Sequence, residues 1–184
     1  IICSDQVGIA APGLLLCRAP WTMESGSLPA WPKRFLSNLV ATNHKPQEHK
    51  HWLVGLSCVA LGGVPAFLAF AHGDLFTGVW LVLVSFCSIM ADYSYIGTIW
   101  NVIDRWNALA FTLWLTHRAF FYVPWLTVLN FIPVAGFLAF SQLSATDEQW
   151  RWRHSLWHFA MMLDMAFFLE CIYSVDAVKA AQLS

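Results

Sequence analysis

Four stretches of the chain, 52–72, 75–91, 106–117 and 119–146, contain no Lys, Arg, Asp or Glu, and a fifth, 155–175, is interrupted only by Asp164 and Glu170. A helix needs about 20 apolar residues to cross roughly 30 Å of hydrocarbon. The runs match that length once 106–117 is extended back through Ile99, Trp100, Val102 and Ile103, which places Asp104 and Arg105 in its first turns. An all-α, polytopic integral membrane protein is therefore expected, with helices over about 52–72, 75–96, 99–117, 120–141 and 153–175. Pro65, Pro124 and Pro133 are expected to kink the first and fourth. Composition agrees: charged residues are 11% of the chain, against about 25% in an average soluble domain. A soluble globule built this way would expose apolar patches beyond the few hundred Å² that monomers tolerate, so an ordinary cytosolic enzyme is excluded. A net charge of −1 gives nucleic acid little to hold.

Residues 1–50 are a different material. They carry eight charges and five of the eight prolines, Pro12, Pro20, Pro29, Pro32 and Pro46, so they are expected to form an extended arm outside the bilayer, leaving 51–184 as the helical transmembrane domain. The chain starts with Ile rather than Met, which suits a protein that lost a targeting segment on import into an organelle, or a sequence lacking its beginning. Lys33, Arg34, Lys45, Lys50, Arg105, Arg151 and Arg153 gather on the arm side, whereas Arg118 and Lys179 fall on the other. The positive-inside rule then puts the arm in cytoplasm, stroma or matrix. The chloroplast thylakoid and the mitochondrial inner membrane are the expected settings, with membrane lipids and other membrane-protein subunits as partners. The five cysteines show no C-x-x-C and read as small buried hydrophobes.

The helix order brings four chemically capable residues to the arm-side face: Asp92 at the end of the second helix, Asp104 at the start of the third, and His154 and His158 at the start of the fifth. Two histidines four apart on a helix share a face, the spacing at which two imidazoles can hold one metal. Ser85, Ser88 and Asp92 fall in one stripe of the second helix, and such a stripe faces protein or a water-filled cavity because lipid is too costly. Each group has a plainer reading. Arg151, Arg153, His154 and Ser155 can form a headgroup-facing turn, and Asp104 can be compensated by Arg105.

The run His154-Ser155-Leu156-Trp157-His158 resembles the H-S-x-W-H signature on the final helix of the CREST superfamily, membrane hydrolases that include alkaline ceramidases and adiponectin-receptor-like proteins. That family also places S-x-x-x-H on an early helix and an Asp on a following segment. Two registers fit here. Ser85-x-x-x-Ile89 puts isoleucine where the third zinc histidine belongs, and Ser88-x-x-x-Asp92 puts a carboxylate there; Asp104 stands for the later Asp in either. The resemblance implies zinc held by His154, His158 and Asp92, with Asp104 orienting or deprotonating water and Ser88 or Ser85 donating to a developing oxyanion. In the isoleucine register it implies a scaffold that has lost its chemistry.

Two functions are carried forward. The favoured one is an accessory subunit of a larger organellar membrane complex, photosynthetic or respiratory, in contact with pigment or lipid. Its support is the arm, whose Trp21, Trp31 and Phe35 can lie along a partner, with Gly55, Gly62, Gly63 and Ala66, which allow close helix approach. In a photosynthetic complex His72, His117 or His158 would ligate chlorophyll magnesium. The alternative is a zinc-dependent membrane hydrolase acting on a lipid amide or ester. A transporter is disfavoured, because Asp164 and Glu170 lie about 120° apart around their helix and do not line one path.

Overall fold

The computed structural model describes residues 50–95 and 98–183, so the arm expected over 1–50 lies, but for Lys50, outside the described residues. The described chain is helical throughout: α1 Trp52–Ala71, α2 Leu75–Ile89 continued by a π-helical turn Met90–Ser94, α3 Ile99–Phe120, α4 Pro124–Gln142 and α5 Asp147–Leu183. By length and composition α1, α2 with its π turn, and α4 can each cross a membrane. The protein is a polytopic, all-helical membrane protein.

Local chemistry sets the boundaries. α1 stops at His72-Gly73-Asp74, where Gly73 takes φ +74°, Gly73 N–H donates to Phe70 O and Asp74 N–H to Ala69 O. This paired closure is the glycine C-cap of a helix. Asp74 then serves as the N-cap of α2, accepting from Thr77 N–H at 3.1 Å, so one short turn both ends α1 and starts α2. Two expected boundaries need correction. Pro124 does not kink α4 but begins it, the position where its fixed φ and missing N–H cost least. α5 starts at Asp147 and not at 153, because Thr146 caps it, its Oγ1 accepting from Gln149 N–H at 3.2 Å, while Gln149 Oε1 reaches back to Ala145 N–H at 3.1 Å, one residue beyond the partner of a capping box.

The helices close a ring in chain order, each packed on the next, with α5 returning to α1. α1 and α2 meet most closely. A Cβ on Gly62 would lie 2.1 Å from Leu81 O, and Gly62 N–H donates to Ser85 Oγ, which in turn sits 2.8 Å from Cys58 O. Trp80 Nε1 donates to Asn107 Oδ1 at 3.0 Å between α2 and α3. Leu61, Leu81, Phe111, Leu169 and Ile172 are among the buried side chains of the core. Outward, Phe67, Trp125, Phe131 and Ile132 are exposed, as side chains facing lipid are.

A candidate metal centre inside the helix ring

At the end of the ring where α1, α3 and α5 begin lies a cavity of about 310 Å³ lined by all five helices. Ser88, Asp92, Asp104, His154 and His158 all border it. The i, i+4 spacing on α5 brings the two imidazoles edge to face, with ring centroids 4.4 Å apart. The π-helical turn presents Asp92 to both: its Oδ2 lies 3.0 Å from His154 Nε2 and 3.8 Å from His158 Nε2. Donor atoms that share one ion at about 2.0–2.2 Å lie within about 4.2 Å of one another, and both distances meet that limit. The π turn closes through Tyr95 N–H to Met90 O and is tied to α3 by Asn101 Nδ2 donating to Ala91 O; such turns recur at functional sites.

The outer face of each imidazole is held by a serine. Ser57 Oγ is 3.0 Å from His158 Nδ1, and Ser141 Oγ is 3.1 Å from His154 Nδ1. Ser57 also lies 2.8 Å from Val54 O, a contact that takes its only proton. Towards His158 it can then only accept, so Nδ1 carries the hydrogen and Nε2 is a bare lone pair. A hydrogen bond from His154 Nε2–H to Asp92 accounts for the 3.0 Å contact but not for the second imidazole nitrogen directed at the same oxygen. Zinc chemistry fits this donor set, because a metal-bound histidine has its other ring nitrogen fixed by a hydrogen bond. Among the described residues, the ligand-type side chains whose donor atoms all lie within 4.8 Å of one another are Cys58, Asp92 and His158; Cys58 Sγ stands 3.7 Å from His158 Nδ1, and His154 joins this set through its 3.0 Å contact with Asp92.

The other expected site residues divide between the cavity and elsewhere. Ser88 is fully buried and borders the cavity, and its Oγ has no oxygen or nitrogen partner among the described residues. Ser85 faces the other way and is spent on the α1 backbone, while Ile89 does not border the cavity. The geometry thus brings Ser88 and Asp92, and not Ser85 and Ile89, to the cavity. His72 stacks on Tyr173 at 4.5 Å, 3.8 Å from Glu170, and His117 lies edge-on to Phe121; neither borders the cavity. The sequence reading missed Ser57 and Ser141. Both are hydroxyls in apolar helices, close to the arm-side ends of α1 and α4, the depth of the two histidines, and that coincidence was the available signal.

Compared with protein-family models, with curated proteins and with solved structures, the chain finds no match.

Proposed function

We propose that the chain is a zinc-dependent, CREST-like membrane hydrolase that cleaves a lipid amide or ester inside the helix ring. The observation that carries this reading is the convergence of His154 Nε2 and His158 Nε2 on one carboxylate oxygen of Asp92, with a hydrogen-bonded serine behind each ring. Zinc bound there supplies a Lewis acid that brings the pKa of water towards neutrality and polarises a carbonyl. Asp104, bordering the same cavity, takes the proton of the attacking water and returns it to the departing nitrogen or oxygen. Ser88, bordering the cavity, donates its O–H to the developing oxyanion. Leu61, Val84, Leu109 and Leu138 exclude bulk water and receive the apolar part of the substrate.

The accessory-subunit reading rests mainly on residues 1–50, outside the described residues. Gly62, one of its supports, serves contact between α1 and α2 of the chain itself. Metal analysis decides between the two functions. The purified protein should hold about one zinc per chain, and His158→Ala should lose the metal and all amide and ester hydrolysis while keeping its helical circular dichroism. Protein purified without zinc that regains neither metal nor hydrolysis on adding it would sink the proposal.

A further inference from the structure

A smaller void of about 40 Å³ adjoins the cavity away from the metal-ligating end, sharing Phe111, Thr112, Val134, Met161 and Met165 with it as common walls between α3, α4 and α5. A plain hydrocarbon chain needs no polar wall, yet Asp164, Asn130, Thr112, Thr116 and Thr127 border this void. Asn130 Nδ2 donates to Asp164 Oδ2 at 3.0 Å, and Thr127 Oγ1 donates to Val123 O at 3.0 Å. A carboxylate presents about four lone-pair sites, so one amide N–H leaves most of the acceptor capacity of Asp164 beside the void. An acid at this depth is costly and marks a ligand or a pathway. A bridge that only fastened α4 to α5 would need no void beside it. Asp164 follows His158 by six residues on α5, about 9 Å along the helix axis.

We propose that Asp164 and Asn130 form a subsite for a hydroxyl group carried part-way along the substrate chain, so that the site selects hydroxylated chains over plain ones. The hydroxyl donates to the Asp164 carboxylate and accepts from a threonine hydroxyl of α3. The void has room for it, since it offers about 40 Å³ where one water needs about 10–15 Å³ of such space. The proposal rests on the hydrolase reading only for the identity of the ligand as a lipid chain. It deepens that reading by naming what part of the chain is recognised.

The test is equilibrium competition on the full chain in lipid nanodiscs, with radiolabelled octadecanoic acid displaced by unlabelled octadecanoic acid or by its monohydroxy isomers. A mid-chain isomer should compete roughly tenfold better than the plain acid, and an isomer hydroxylated near the methyl end should show no advantage. In Asp164→Leu the advantage should vanish while the plain acid binds as well as before. Asp164→Asn, which keeps the volume and the contact with Asn130 but is a weaker acceptor, should narrow the advantage several-fold and guards against a leucine variant that does not fold. Equal competition by every isomer in the wild type would mean that the void holds only water and would overturn the subsite, as would an advantage that survives Asp164→Leu. Binding is read without turnover, so the two readings fail separately. Hydroxyl selectivity in a protein that cleaves no lipid would sink the hydrolase and leave the subsite, whereas cleavage without selectivity would sink the subsite alone.

Discussion

Ser57 and Ser85 are buried hydroxyls on neighbouring helices, and their partners give them opposite tasks. Ser57 accepts from His158 Nδ1 and so directs the Nε2 lone pair at Asp92. Ser85 accepts from Gly62 N–H and lies against the carbonyls of Cys58 and Val59, which only holds α1 to α2. Removing the partner behind a metal-bound histidine costs about 10–100-fold in metal affinity. Ser57→Ala should therefore weaken zinc binding by that factor, measured by competition with a chelator. Ser85→Ala should instead cost about 1 kcal/mol of stability and leave zinc affinity unchanged. A loss of zinc in Ser85→Ala with none in Ser57→Ala would return the early motif to the register that ends at Ile89.

At the scale of elements, the five helices were legible because apolar runs are read directly from the absence of charge, whereas their ends were not. The apolar run from 155 places the start of α5 near 153. The helix begins at Asp147 because a cap depends on Thr146 and Gln149 and not on hydrophobicity. It continues to Leu183 because Ala177-Val178-Lys179-Ala180-Ala181-Gln182 contains no Gly or Pro and mostly strong helix formers. At 37 residues α5 is about 55 Å long, well beyond the hydrocarbon thickness of roughly 30 Å. Glycines were legible as a class but not one by one. Of the four small residues expected to permit close approach, Gly63 has open space where its Cβ would be, Gly55 faces the Tyr93 ring, and Gly62 faces backbone. A ring at 3.1 Å can yield by a small shift, but a carbonyl at 2.1 Å cannot yield without moving α2. Gly62→Ala should then lower stability by about 1–3 kcal/mol, the usual cost of overpacking, and Gly63→Ala should be neutral or slightly stabilising. Unfolding in mixed micelles measures both, and equal effects would show that α1 and α2 are not in this contact.

Across the whole molecule the ring is fastened at both ends by polar groups, and only one end was foreseen. The convergence of Asp92, Asp104, His154 and His158 follows from alternating helix direction, which fixes the shared end of the bundle without knowledge of side chains. The far end could not be read that way, because Asp74, Arg118 and Tyr173 look in sequence like unrelated residues near helix ends. There Asp74 Oδ2 accepts from Arg118 Nη1, Thr77 Oγ1 and Tyr173 OH, and so links the α1–α2 turn to α3 and α5. Burial by itself would raise the carboxyl pKa, but the hydrogen bonds from Arg118, Thr77 and Tyr173 outweigh it and hold Asp74 below its ordinary value. A carboxyl whose folded pKa is depressed gives stability that is complete above its unfolded value of about 3.9 and is lost as pH falls through the folded value. The bundle should thus loosen in acid, below about pH 4, by protonation of Asp74. In Asp74→Asn the amide keeps the size and an acceptor but cannot pair with the guanidinium, so the variant should be weaker by about 1.5–3 kcal/mol at neutral pH. It should also lose less of its remaining stability between pH 5 and 3 than the wild type does. Chemical unfolding followed across that range separates the outcomes: parallel curves for the two proteins would show that Asp74 does not couple the far end of the ring to pH.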